Sequence, residues 1–146
     1  MKTLRLIGMA IIAVIMSVNF VACDDDDEDS DNVSLIGKWK VDSHIYVENG
    51  VTTHYTYQDW IDDGGYPYLV FEEKDTYGID VDGSIEEYSS YIYDENSKVL
   101  IENDGYSEYK YEVISLTKNK LTLRYYGVDG WGNPDNYSET YYVKVN

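Results

Sequence analysis

The chain has 146 residues, with 28 acidic against 11 basic side chains and a formal charge of −17. That balance repels phosphate backbones and anionic head groups, which argues against nucleic acid as a partner. Its single cysteine, Cys23, has no second thiol with which to form an intrachain disulfide.

The amino end is organised around that cysteine. Lys2 and Arg5 precede an apolar run over 6–20, and Val21-Ala22-Cys23 follows. The run is short for a membrane crossing, which takes about 20 apolar residues. Basic start, apolar stretch, small residue and cysteine together resemble a bacterial lipoprotein signal, with Phe20 where leucine is usual. The resemblance implies that 1–22 is a removed signal peptide and that Cys23 is lipidated, making the membrane a partner through acyl chains. One chain holds a protein marginally at a bilayer, whereas two or more hold it stably.

Seven carboxylates then fall within 24–31, interrupted only by Ser30. A block of like charges repels itself and stays solvated, so 23–33 reads as a disordered tether. Stretched out, ten such residues reach on the order of 30 Å. An acidic run directly after the lipidated cysteine resembles the surface-export signal of lipoproteins in some Gram-negative bacteria. That places the protein at the outer membrane, on the cell surface, with a plain spacer facing the periplasm as the alternative. The tether leaves a formal charge of −12 on residues 34–146.

Residues 34–146 suffice for one domain with its own core. No stretch sustains a helical period, and period-2 alternation recurs between turn residues, so the domain reads as all-β. Strands are expected over 38–47, 51–58, 68–73, 77–81, 85–93, 98–102, 106–115, 120–126 and 139–145. Their short connections make an antiparallel meander. Every strand offers an apolar face, so the sheet must close on itself or split into two packed layers. The reading adopted is a closed barrel of about eight or nine strands.

Register in the first hairpin decides where the two histidines point. A three-residue loop, Glu48-Asn49-Gly50, pairs Val47 with Val51 and keeps Trp39, Val41, Ile45 and Val47 on one face. It sets His44 opposite His54 on the outer face; a two-residue Asn49-Gly50 turn would point them opposite ways. With one flanking carboxylate, Asp42, the pair lacks a ligand set, and no metal is expected.

The inner face is expected to comprise Leu69 and Phe71; Tyr77, Ile79 and Val81; Tyr91 and Tyr93; Val99 and Ile101; Tyr109, Tyr111 and Val113; Leu121, Leu123 and Tyr125; and Tyr141, Val143 and Val145. Tyr55 and Tyr57 join it from the second strand. A buried phenol needs a hydrogen-bond partner, so these tyrosines point to a wet or ligand-lined interior, or to a core whose hydroxyls reach solvent at a rim. Gly37-Lys38-Trp39 resembles the Gly-x-Trp entry of lipocalin-like domains. The runs 68–73, 111–116 and 119–123 follow in the order seen in small lipocalin-like lipoproteins of Gram-negative bacteria. The resemblance implies a β-barrel plugged at one end by Trp39, and the tyrosine-lined interior is read as the site of a small amphiphilic or hydrophobic ligand. Tyr55, Tyr57, Tyr91, Tyr93, Tyr109, Tyr111 and Tyr125 are then the ligand-facing candidates.

Two longer connections, 59–67 and 127–137, carry Trp60 and Trp131 among Gly, Asp and Asn. Exposed aromatics of this kind can stack on a glycan or grip an outer-membrane protein partner, or can pin their loops to the barrel end. Neither loop has the spacing of a calcium-binding loop. Nor does the chain contain a Gly-x-Ser-x-Gly elbow, a His-Glu-x-x-His helix or a phosphate loop. Adjacent acids such as Glu72-Glu73 and Glu86-Glu87 point to opposite sides of a strand. The chain is therefore read as a binding protein without cofactor, not as an enzyme.

Overall fold

The computed structural model describes residues 33–127 and 130–146. The leader, Cys23 and nearly all of the acidic tether lie outside the described residues. Nine strands are present: β1 (Gly37–Glu48), β2 (Val51–Thr56), β3 (Tyr68–Phe71), β4 (Asp75–Ile79), β5 (Ile85–Asp94), β6 (Val99–Asn103), β7 (Glu108–Leu116), β8 (Lys120–Tyr125) and β9 (Tyr137–Val145). Each of β3 to β9 pairs antiparallel with the next, and β9 and β3 both pair with β1. The result is a closed eight-stranded barrel with β2 as an extra strand.

β1 can serve three neighbours because it is long. Residues 37–40 pair with β3 on one edge, and residues 43–48 pair with β2 on the same edge further along. The other edge runs along β9 throughout, with a register shift between Val41 and Ser43.

That shift overturns the expected three-residue hairpin loop. Glu48 pairs with Val51, so the turn is the two-residue Asn49-Gly50, with φ of 51° and 75°. Both positions left-handed match the twist of a hairpin, and Asn-Gly tolerates that conformation best. The longer loop had been required to keep Ile45 and Val47 in phase with Trp39 and Val41. A bulge at Asp42 instead changes the phase, since an extra residue in one strand flips every side chain beyond it. His44 now lies opposite Tyr55 and His54 opposite Ile45, so the histidines face opposite ways.

The inner face also departs from expectation on three strands. Thr76 and Gly78 point inward in place of Tyr77 and Ile79, Val81 lies beyond the end of β4, Leu100 and Glu102 replace Val99 and Ile101, and Thr140 and Tyr142 replace Tyr141, Val143 and Val145. These strands carry large or β-branched side chains in both phases, so alternation alone does not choose. Pairing does: Leu121, fully buried, stands opposite Tyr142, and Tyr91 and Tyr109 flank Glu102 on either side.

One end of the barrel is filled. Trp39 is fully buried among Leu35, Phe71, Leu100, Val113, Leu121 and Leu123, and its indole Nε1 donates to the Leu35 carbonyl at 2.7 Å. Gly37 opens β1 two residues earlier, against the Lys144 side chain. Truncating a tryptophan so enclosed costs about 3–5 kcal/mol.

The first of the two long connections contains a short helix, α1 (Tyr57–Asp62), where the sequence reads as strand and then loop. Thr56 caps it: its side chain accepts from the Asp59 amide, and the Asp59 carboxylate accepts from the Thr56 amide at 2.8 Å. This capping box satisfies amides that a free helix start leaves unpaired. It holds α1 against β1 and β2, beside the stretch of β1 beyond Trp39.

Candidate functional site

β6 and β7 each give the core a residue near Trp39 and a polar or phenolic one further along. β6 passes from Leu100 to Glu102, β7 from Val113 back to Tyr111 and Tyr109, and β4 from Thr76 to Gly78. Thr76, Gly78, Glu102, Tyr109 and Tyr111, together with Trp60, Tyr66, Leu69 and Tyr142, line a cavity of about 460 Å³ in the half of the barrel away from Trp39. Its volume lies within the range of small-molecule sites. Tyr88 and Tyr106 stand at the mouth, Tyr106 almost wholly exposed.

α1 positions the lid side of this cavity. The Trp60 indole Nε1 donates to the Tyr66 carbonyl at 2.9 Å and its ring lies 4.7 Å from that of His44. A Cβ on Gly65 would come within 2.2 Å of the Trp60 ring, so only glycine lets the chain pass so close. Trp60 is shared with a second hollow of about 280 Å³, lined by His44, Tyr46, Tyr55 and Gly65. Burial pulls the His44 imidazole below its ordinary value, leaving it neutral at pH 7, and its Nδ1 lies 2.9 Å from the Thr140 hydroxyl.

Two polar atoms in the main cavity stand out. Glu102 Oε1 and Thr76 Oγ1 are buried and find no hydrogen-bond partner on the protein. Burial raises the Glu102 carboxyl to about 7, the charge of Glu87 adding to the effect and the nearby Tyr111 hydroxyl opposing it. The phenols of Tyr111 and Tyr142 are pushed up as well, first by burial and then by the Glu102 charge. Native interiors rarely leave such groups unpaired, because each costs about 1–3 kcal/mol.

The sequence candidates separate on this geometry. Trp60, Tyr109 and Tyr111 line the main cavity, and Tyr55 lines the second hollow. Tyr125 packs behind Tyr111 at 5.3 Å between ring centres. Tyr91 and Tyr93 lie nearer the Trp39 end; the Tyr91 ring meets Phe71 edge-on and its hydroxyl donates to the Glu72 carbonyl at 2.6 Å. Tyr57 is on α1, with Lys40 Nζ 4.9 Å from its ring centre. Trp131 stands outside the barrel wall, edge-on to Tyr126 and with Lys110 Nζ 4.2 Å from its ring centre. Sequence reading missed Glu102, Thr76, Tyr66 and Tyr142. The first, second and fourth become visible once the strand phases are corrected; Tyr66 sits in a loop and carried no signal.

The outer wall behind Trp131 holds the best-paired charges among the described residues. Arg124 Nε donates to Glu139 at 2.7 Å, Nη2 reaches the same oxygen, and the Tyr141 hydroxyl takes the other. Tyr126 donates to Glu112 at 2.8 Å. Burial and the Glu139 carboxylate push the Tyr141 phenol up to about 12. Among the described residues no three His, Asp or Glu side chains converge as a metal ion would require.

A family model described as a lipocalin-like domain matches residues 35–123, from the Leu35 that seats Trp39 to the Leu123 of the core. No curated protein and no solved structure matches the chain.

Proposed function

Since the chain belongs to the lipocalin-like domain family, we propose that it binds a small amphiphilic or hydrophobic ligand inside its barrel, and that acyl chains on Cys23 hold it at the outer membrane, facing the cell surface. The cavity carries the first half of this reading: about 460 Å³ beyond a filled Trp39 end, lined by aromatic rings and a few polar groups. Ligand pockets combine apolar walls with sparse polar anchors in this way. The anchor rests on the order of residues in 1–31, with no support from the fold.

The rival use of the tryptophans, gripping a glycan through both loops, loses ground to their positions. Trp60 turns into the cavity and Trp131 is engaged by Lys110 and Tyr126. Native mass spectrometry of the protein from its own cells should find a co-purifying small molecule, and an apolar fluorescent probe should compete with it. Oligosaccharides binding in place of both, with loss on Trp131→Ala, would reverse the assignment. For the anchor, radiolabelled fatty acid should enter the wild type and not Cys23→Ser, and protease added to intact cells should cleave the protein.

A further inference from the structure

The cavity is not neutral in its chemistry. Its lining includes the carboxylates of Glu87, Glu102 and Asp104 and no Lys, Arg or His side chain. A fatty acid or other anion would pass the exposed Glu87 and the half-exposed Asp104 to reach the more enclosed Glu102 carboxyl, and would meet no base there. Glu102 Oε1 and Thr76 Oγ1 are the two buried oxygens without a protein partner; the ionised carboxylate only accepts and the threonine hydroxyl can accept as well as donate, so a ligand that brings donors completes both. The surrounding faces of Tyr109, Tyr111, Tyr142 and Trp60 carry negative quadrupoles, which attract cations and not anions. The whole domain, at −12 over residues 34–146, raises the local concentration of cations at the mouth.

We propose that the ligand is an organic cation, an ammonium group on an apolar body, whose N–H groups donate to Glu102 and Thr76 while the body lies among the tyrosine rings. The inference rests on the small-ligand reading above and narrows it to a charge class. Neither a metal ion nor a neutral sugar meets the same description: the described residues offer no three-ligand cluster, and a sugar brings no positive charge to the Glu102 carboxylate. A cation would also draw the Glu102 proton off. The titratable groups facing that carboxyl are Glu87 and Tyr91 from β5, Tyr109 and Tyr111 from β7 and Tyr142 from β9. None is basic, so a bound ammonium would be its sole positive partner.

Three solutes of one chain length test this on the full chain by calorimetry: hexylammonium, hexanoate and 1-hexanol. Hexylammonium should bind at least about ten-fold more tightly than hexanoate, the difference one buried charge pair makes. Its affinity should rise from about pH 6 to about pH 8 as Glu102 ionises, with proton release visible as a dependence on buffer. Glu102→Gln should lower hexylammonium affinity about ten-fold and leave 1-hexanol within about two-fold. Thr76→Val should weaken the cation less, removing one acceptor. Equal binding of the three solutes, or a hexylammonium affinity untouched by Glu102→Gln in a folded variant, overturns the cation and leaves the small-ligand reading standing. So does failure of all three while an apolar fluorescent probe still enters. If that probe fails too, both readings fall together.

Discussion

Two glutamates on opposite sides of the same barrel wall show how differently one side chain can be housed. Glu139, on the outside of β9, is nearly as enclosed as a core residue, at 6% exposure, yet both its oxygens are met, one by the Arg124 guanidinium and the other by the Tyr141 hydroxyl. Glu102, on the inside of β6, is half-buried, and its buried Oε1 finds no protein partner. The first arrangement is complete without any other molecule. The second leaves an oxygen without a protein partner, an arrangement that costs stability and that the proposed ligand would complete.

The contrast is broken most severely at Glu139. Glu139→Ala leaves Arg124 only its longer contact to Glu112 at 3.8 Å and the Tyr141 hydroxyl without its acceptor, and removing one partner of a buried pair costs about 3–5 kcal/mol, the low end applying to an arginine that is 26% exposed. Urea unfolding should show a midpoint shift of that size, with ligand affinity unchanged in whatever fraction stays folded. Glu102→Gln should go the other way. Glu102 holds its proton in the folded protein up to about pH 7, whereas the unfolded chain loses it near its ordinary value of 4.5. Between those values the folded state binds more protons than the unfolded, so stability falls as pH rises. Below the window the group contributes no penalty, and above it the penalty is complete, roughly 3 kcal/mol by the shift alone. The glutamine variant should therefore match the wild type near pH 4 and exceed it by an amount of that order near pH 8. An unchanged pH profile of stability would mean that Glu102 is already paired. Tyr141→Phe is milder, about 1 kcal/mol for one hydrogen bond to a group that keeps its Arg124 partner.

Much of this architecture is legible in the sequence, and the reasons for the failures are specific. Nine strands, their order and the Trp39 plug follow from alternation and from Gly37-Lys38-Trp39, because a period of two is a strong signal wherever one phase is polar. In Val99-Leu100-Ile101-Glu102 the phase is hidden: three apolar residues precede the acid, and only pairing with Tyr91 and Tyr109 turns Leu100 and Glu102 inward. β1 fails for another reason. The bulge at Asp42 has no glycine to announce it, so an unbroken alternation misplaces Ile45, Val47 and His44, and forces the wrong turn length in compensation. α1 was invisible because six residues are too few for a helical period, although the Thr56 and Asp59 caps were there to be read. The candidate site lies where these phase errors fall, which is why tyrosines were found and their carboxylate partner was not.

The smallest expected effect separates inside from outside most cleanly. Trp60 and Trp131 look alike in sequence, each a tryptophan in an Asp- and Gly-rich connection, yet the first lines the cavity and the second lies outside the barrel wall under Lys110. At 43% exposure, the contact of Lys110 with the Trp131 ring belongs to the weak class of cation–π pairs, about 0.5–1 kcal/mol. Lys110→Met should therefore lower stability by no more than about that amount, with part of the loss vanishing in high salt as screening already weakens the wild-type contact. Ligand affinity should stay as it is, because the carboxylates and rings of the cavity lie across the wall from Lys110. Trp60→Ala leaves that outer contact intact while removing a cavity wall, so it should alter affinity far more. If the two variants instead changed binding equally, the loop bearing Trp131 would have to reach the ligand, and the division of the barrel into a self-sufficient outside and a receptive inside would be lost.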